Sequence, residues 1–130
     1  MRTSQASNQH GHVVKARQPE NPDPLSVKSG EELLVSERED AWQGHPEWIW
    51  VWCTDPRGKS AWAPADLLEF VPGHGRGLAR ARYDYDAVEL AVAVADEVRV
   101  DGEKNGWYWC TTTQGARGWA PIDHITLADR

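Results

Sequence analysis

Few residues in this chain have side chains that could act as a nucleophile or as a base. The only thiols are Cys53 and Cys110, and one histidine, His124, lies inside a repeated pattern without a matching histidine in the other copy. Each cysteine ends a strand-like pattern whose period of two places it on the small-residue face, opposite the tryptophans. We therefore predict buried free thiols that act as core residues, and no enzyme activity.

The two histidines near the start of the chain give no good metal or cofactor site. His10 and His12 lie in a polar segment with no cysteine or carboxylate nearby to complete a coordination shell. Glycine-rich phosphate loops and metal-spaced Cys/His sets are absent from the sequence. The prediction is no cofactor and no metal, with residues 1–12 forming a disordered tail.

A tryptophan-rich hairpin pattern occurs twice and organises the chain. Trp50 is followed by Trp62, and Trp107 by Trp119, in both cases twelve residues later and just before Ala-Pro. Each copy also has the order Trp-x-Trp-Cys at its start. Such self-similarity predicts two related units, each close to the lower size limit for a self-sufficient core.

Charge and hydropathy exclude several classes of partner. The formal net charge of −6 argues against nucleic acid and anionic membranes, which require clustered Lys and Arg. No apolar run is long enough to span a bilayer, and the polar start lacks the apolar region of a secretory signal. The expectation is a cytoplasmic protein.

The alternation of apolar residues predicts an all-β protein. Each repeat has five short strands, one tight hairpin and no helix longer than a turn, which favours two small five-stranded antiparallel β-barrels in tandem. The predicted domains are 13–71, with a long polar loop at 36–47, and 78–128. A Gly/Pro-rich linker at 72–77 joins them.

Two matching sets of mostly aliphatic residues are predicted to face the barrel interiors. In this alignment Val14 and Ala16 correspond to Ala79 and Ala81. The first set is Val14, Ala16, Leu25, Val27, Leu33, Val35, Cys53, Ala63 and Leu68, and the second is Ala79, Ala81, Leu90, Val92, Val98, Val100, Cys110, Ala120 and Ile125.

Several motifs of the second repeat resemble the Src-homology-3 (SH3) family. They are Ala81–Tyr85, Glu89–Val92, the Trp107-Tyr108 pair and Gly118–Ile125, in the family's order. The first repeat resembles the bacterial variants of the family, with Lys-Ser-Gly-Glu at 28–31 where those have Lys-Lys-Gly-Asp. The resemblance implies a tandem SH3 protein of the bacterial variant type.

The resemblance also implies a peptide-binding groove. Aromatic residues and a proline of the family receive proline-rich peptides, whose extended helix loses little entropy on docking. An acidic position, here Glu89, pairs with a ligand Arg or Lys. Carried over, the second-repeat site is Tyr83, Tyr85, Glu89, Trp107, Trp119, Pro121 and His124, and a first-repeat groove would use Trp48, Trp50, Trp62 and Pro64.

Two hypotheses of function stay open at this point. In the first, the second repeat is a non-catalytic module that binds a proline-rich or extended peptide. In the second, the tandem pair is architectural, and its tryptophan faces pack together or form a homodimer with no open groove. The acidic run Glu37-Arg38-Glu39-Asp40 is either a solvated loop tip or a segment that attracts basic ligands.

Overall fold

The structure is a computed structural model that describes residues 9–128, so residues 1–8 of the tail that was predicted to be disordered at 1–12 lie outside the described residues. The chain forms two compact units: unit 1 is Met1–Glu20 with Glu89–Arg130, and unit 2 is Asn21–Val88. The described part consists of β-strands and single 3-10 turns. The prediction of an all-β protein with antiparallel strands is confirmed.

Unit 1 is built on one open antiparallel sheet with the strand order β11-β10-β9-β1-β12. A 3-10 turn at Ile122–His124 joins its last two strands. The strands are β1 (Gln9–Val13), β9 (Glu97–Lys104), β10 (Trp107–Thr112), β11 (Arg117–Pro121) and β12 (Ile125–Leu127).

Unit 2 repeats this plan with the order β5-β4-β3-β7-β6, and β2 with β8 adds a short two-stranded ribbon. Its 3-10 turns are Trp42–Gly44 and Ala65–Leu67. The strands are β2 (Ser26–Val27), β3 (Glu32–Ala41), β4 (Ile49–Thr54), β5 (Ser60–Pro64), β6 (Leu68–Phe70), β7 (Leu78–Ala81) and β8 (Tyr85–Asp86).

The two repeats exchange their opening strands. β1 precedes unit 2 in sequence but lies between β9 and β12 of unit 1, whereas β7 opens the second repeat but lies between β3 and β6 of unit 2. The compact units therefore differ from the predicted domains 13–71 and 78–128. Residues 72–77 form the turn between the paired strands β6 and β7 of unit 2 and do not link the two units.

The predicted register of the first strand is also wrong, by three residues. Val13 pairs with Ile125 at the position where Ala81 pairs with Leu68 in unit 2, so Val13 corresponds to Ala81. The predicted inward residue Val14 is 41% exposed, and Ala16 is exposed as well. Residues 9–12, predicted as tail, belong to β1 because their backbone completes the ladder between β9 and β12.

Each unit has its own core on the predicted small-residue face of the tryptophan hairpin. The core of unit 1 consists of the second predicted set of inward residues with one change. Val13 takes the place of Ala79 and Ala81. Those alanines, Ala79 and Ala81, are buried in unit 2 instead. The unit 1 core is Val13, Leu90, Val92, Val98, Val100, Cys110, Ala120 and Ile125.

The polar segment predicted as a loop at 36–47 is largely a strand. β3 continues to Ala41, and its register against β4 shifts between Val35 and Glu39. The sequence of the strand's second half is polar because these residues are mostly exposed, so the alternation that marks a half-buried strand is lost. Residues 36–38 bulge from the ladder at this shift.

The turn between β4 and β5 is fixed by the buried carboxylate of Asp55. Its oxygens accept hydrogen bonds from the backbone N–H groups of Ser26, Arg57 and Lys59, at 3.1, 2.9 and 3.0 Å. Burial by itself would raise the pKa of this carboxyl, but the three amide donors outweigh it and the pKa is lowered. One side chain thus ties the hairpin to β2.

We expect Asp55→Ala to destabilise unit 2 by about 1–3 kcal/mol, because it leaves three buried or half-buried amides without their acceptor. Since the folded-state pKa is below the ordinary value of about 3.9, the stabilising effect is present above that pH and is lost as the pH falls through the folded pKa. Urea unfolding of the original protein and of Asp55→Ala, at pH 7 and in acid, measures the difference in their free energies of unfolding.

Thr112 provides the matched control, because it occupies the corresponding turn of unit 1. Its Oγ1 accepts only one amide hydrogen bond, from Ala116, in an exposed turn. Thr112→Ala should change stability by less than Asp55→Ala and without the acid dependence. An equal loss in the two variants, or a loss for Asp55→Ala that does not shrink in acid, would contradict this account.

The position of β1 predicts a second stability effect. A Cβ atom at Gly11 would lie 2.9 Å from the Thr126 carbonyl oxygen and 3.0 Å from an Ile125 methyl carbon. Gly11→Val should therefore destabilise unit 1 by about 1–3 kcal/mol through overpacking. In amide NMR spectra the indole signals of Trp107, Trp109 and Trp119 in unit 1 should shift, and those of Trp52 and Trp62 in unit 2 should not.

His12→Val is the control for Gly11→Val, because the side chain of His12 in the same strand is exposed. It should leave stability and the unit 1 indole signals nearly unchanged. A Gly11→Val protein whose perturbation falls on unit 2 would show that β1 belongs to the other sheet.

Candidate functional site

The residues predicted to form one groove lie in two different units. Tyr83 and Tyr85 belong to unit 2, because β7 and β8 belong to that unit. The other five predicted residues, Glu89, Trp107, Trp119, Pro121 and His124, belong to unit 1. The strand exchange therefore gives the two tyrosines to the unit that holds Trp48, Trp50, Trp62 and Pro64.

In unit 2 the tryptophan hairpin presents one aromatic side. Trp50 pairs with Pro64, and Trp52 with Trp62, across β4 and β5. Residues opposite each other, and residues two apart on one strand, share a face, so these four side chains lie together. The intervening Val51 and the other partners on the opposite side are buried in the core.

The two tyrosines are attached to this hairpin by hydrogen bonds. The Tyr85 hydroxyl donates to the Trp62 carbonyl oxygen over 3.3 Å, and the Tyr83 hydroxyl donates to Asp66 Oδ1 over 2.7 Å. Burial and the Asp66 carboxylate raise the pKa of Tyr83, so its hydroxyl remains a donor. We name Tyr83, Tyr85, Trp50, Trp62 and Pro64 the aromatic face of unit 2.

The members of the aromatic face differ in exposure. Trp50 is 6% and Tyr85 7% exposed, and Pro64 is fully buried. Tyr83 and Trp62 are half-buried and offer ring surface to solvent. Trp48, which was predicted to share this side, precedes β4 and packs on His45 with ring centroids 4.0 Å apart.

Unit 1 has charged residues where unit 2 has the tyrosines. With the register of β1 corrected, Lys15 and Arg17 correspond to Tyr83 and Tyr85. The Arg17 guanidinium lies 4.9 Å from the ring centroid of Trp107, which is only 7% exposed. A cation over a tryptophan face is attracted by the ring quadrupole.

Glu89, predicted to meet a ligand cation, is paired within its own unit. Its Oε1 accepts hydrogen bonds from Arg17 Nε and from Arg17 Nη2, over 3.1 and 2.9 Å. Both side chains are about three quarters buried, with 25% and 26% exposed. The ion pair therefore covers Trp107 and neutralises the acidic position.

A second cation–acid contact of unit 1 lies at its 3-10 turn. Lys15 Nζ is 3.6 Å from Asp123 Oδ2, the residue corresponding to Asp66. His124 Nδ1 lies 3.1 Å from the Lys15 carbonyl oxygen, and Pro121 is buried. We name Lys15, Arg17, Glu89, Asp123 and Trp107 the charged face of unit 1.

Both units also carry an edge-to-face pair of half-exposed tryptophans. Trp52 and Trp62 have ring centroids 5.4 Å apart, and Trp109 and Trp119 have centroids 5.1 Å apart. An arginine lies over each pair: Arg38 in unit 2 and Arg117 in unit 1. Such pairs are more favourable than their buried area alone accounts for.

The thiols are buried and unpaired, as predicted. Burial raises the pKa of Cys53 and of Cys110 to about 12. A thiol with that pKa is almost entirely protonated near neutral pH and is a poor nucleophile. Within residues 9–128 no group of three or more His, Cys, Asp or Glu is placed to hold a metal ion.

Sequence reasoning missed Lys15 and Arg17 as residues of a site. The signal was present in the spacing, because a shift of the first strand by three residues aligns Lys15 with Tyr83 and Arg17 with Tyr85. The alternation of Val14 and Ala16 with charged residues favoured the wrong register.

Comparison with known proteins does not assign this chain to a family. Neither the models of known protein families nor the curated proteins match the sequence. Among the described residues, no helix is long and apolar enough to cross a membrane.

The thiols provide a direct check of the core. We expect neither Cys53 nor Cys110 to react with a thiol-specific disulfide reagent at pH 8 in the folded protein, and both to react when urea unfolds it. The absorbance of the released thiolate measures the two stoichiometries. One equivalent reacting rapidly under native conditions would contradict the burial of that cysteine.

Proposed function

We propose that this chain is a non-catalytic protein-binding module whose unit 2 binds a proline-rich or otherwise extended peptide. The observation that carries the proposal is the composition of the aromatic face. Strand exchange joins Tyr83 and Tyr85 of one repeat to Trp50, Trp62 and Pro64 of the other within a single unit. We also propose that the two units are SH3-like barrels of the bacterial variant type.

The chemistry of the aromatic face suits an extended ligand. A polyproline helix is already extended and has no internal hydrogen bonds, so it docks on flat rings at low entropic cost. Tyr83 offers a half-exposed ring whose position is fixed by its hydrogen bond to Asp66. The half-exposed Trp62 gives a second surface, on the hairpin that also carries Pro64.

The charge of unit 2 favours basic residues in the peptide. Unit 2 has 12 Asp and Glu against 7 Lys and Arg, whereas unit 1 has 8 against 7. Asp40, which is exposed, is the cross-strand partner of Trp50, and exposed Glu39 is next to it. Exposed ion pairs contribute about 0.2–1 kcal/mol each, so these acids mainly steer and orient the ligand.

Unit 1 suits such a peptide less well. Lys15 and Arg17 replace the two tyrosines, and both are matched by acids of the same unit. A proline-rich helix would have to displace the Arg17 guanidinium to reach Trp107. In this proposal Trp107, Pro121 and His124 are therefore structural residues of unit 1 and not a peptide groove.

The burial of the key tryptophans favours a second candidate, the architectural pair. Trp50 and Trp107 are 6% and 7% exposed, although peptide contact would need open ring surface. In this candidate the tryptophan faces of the tandem pair pack together or form a homodimer, and no groove is open to a peptide. In both candidates we place the protein in the cytoplasm, a reducing compartment that suits its two unpaired thiols.

A peptide titration followed by amide NMR tests the proposal. We expect a proline-rich peptide with an arginine to shift the Trp50 and Trp62 indole signals and the amides near Tyr83, and to leave Trp107 unshifted. Tyr83→Ala should weaken binding by about tenfold, equivalent to about 1.4 kcal/mol, because it removes half-exposed ring surface without touching the core.

Lys15→Ala is the matched control, because it changes the corresponding position of unit 1. Its affinity for the peptide should equal that of the original protein. Shifts centred on Trp107 and His124 would contradict the assignment to unit 2. The absence of any shift, together with a Trp50 indole that a neutral quencher does not reach, would favour the architectural pair.

A further inference from the structure

The Trp52–Trp62 pair of unit 2 is already occupied by a cation from the same chain. The guanidinium carbon of Arg38 lies 4.7 Å from the Trp52 ring centroid and 5.1 Å from that of Trp62. The two rings stand edge to face, with an interplanar angle of 76°. One guanidinium therefore contacts two tryptophans at once, at distances typical of cation–π attraction.

Arg38 is held there weakly. Its side chain is exposed, and it lies in the stretch where the register of β3 against β4 shifts between Val35 and Glu39. Within the described part of the chain, no carboxylate lies within ion-pair distance of its guanidinium. Its backbone N–H donates a hydrogen bond to the Ser36 side chain, at 3.1 Å. The side chain can therefore leave the rings without the loss of an ion pair.

Unit 1 repeats the tryptophan pair but holds its cation differently. Arg117 lies 5.5 Å from the ring centroid of Trp109 and is a regular member of β11, paired with Thr111. The residue opposite Trp109 on β9 is Gly102, which has no side chain to place over the ring. A cation on the pair thus recurs, and in unit 2 it comes from an irregular segment.

We propose that Trp52 and Trp62 form a binding site for an arginine side chain of the peptide partner, and that Arg38 occupies this site as an internal competitor. The proposal rests on the proposed function and names its charged subsite. Arg38 marks the chemistry that the site accepts, a planar guanidinium that stacks on aromatic rings. The proposed arginine site is distinct from the buried end of the hairpin, where Trp50 pairs with Pro64.

The surrounding charges support exchange of one guanidinium for another. Glu37 and Glu39 flank Arg38 in sequence and are exposed, so the segment stays acidic when Arg38 leaves. An incoming arginine would regain the contact with both rings. The cost of displacement is the loss of the exposed cation–π contacts of Arg38 with the two rings, which is compensated by the same contacts with the ligand.

The variant Arg38→Ala tests the competition. Because the side chain is exposed, the protein should fold normally. Removing the competitor should strengthen binding of an arginine-containing proline-rich peptide by about two- to fivefold, as expected from one exposed cation–π contact. The Trp52 and Trp62 indole signals should move further on saturation than in the original protein, whereas Trp109 should not respond.

Two controls separate this effect from a general change in charge. Arg76→Ala removes another arginine of unit 2 that lies over an aromatic ring, 4.4 Å from the Phe70 centroid, and should leave the affinity unchanged. A peptide with citrulline in place of arginine keeps the shape but loses the charge, and should gain nothing from Arg38→Ala. Equal gains for the two peptides, or for the two variants, would overturn the proposal.

A small probe tests the subsite even if the peptide groove does not exist. N-acetylarginine amide should shift the Trp52 and Trp62 indole signals of Arg38→Ala in a saturable manner, and N-acetylcitrulline amide should not. Failure of this probe overturns the arginine site. Failure of every proline-rich peptide, with the probe still binding, overturns the proposed function and leaves the arginine site standing.

Discussion

The structure depends on how the backbone hydrogen bonds of its two sheets are completed. In unit 1, β9 and β12 do not pair with each other, and β1 lies between them, so that Gly11 is opposite Val98 on one side and Leu127 on the other. In unit 2, β7 does the same between β3 and β6. Without the inserted strand, each sheet would be divided in two, with two further unpaired edges and a gap in its core.

This exchange decides the chemistry of the two faces. The segment after each exchanged strand belongs to the same unit as that strand. Lys15 and Arg17, after β1, therefore belong to unit 1, and Tyr83 and Tyr85, after β7, belong to unit 2. Similar hairpins, each with a buried tryptophan and proline, are thereby given different neighbours. One becomes a face of ion pairs and the other a face of aromatic rings beside an acidic strand, and the proposed peptide site rests on the second.

Local features were predictable from sequence because they depend on local chemistry. The tryptophan hairpins, the 3-10 turns after Pro64 and Pro121 and the burial of the thiols follow from alternation and turn residues. The exchange was not predictable: repeats with matching patterns fit either sheet, and a first strand that reads Gln-His-Gly-His-Val has little β-propensity.

The central claim is that the opening strands are exchanged, and NOE spectroscopy of the backbone protons tests it most directly. The account predicts cross-strand NOEs from residues 9–13 to β9 and β12, and from residues 78–81 to β3 and β6. NOEs from residues 9–13 to β3 and β6 instead would mean two contiguous domains. Tyr83 and Tyr85 would then return to Trp107, and the aromatic face of unit 2 would no longer exist.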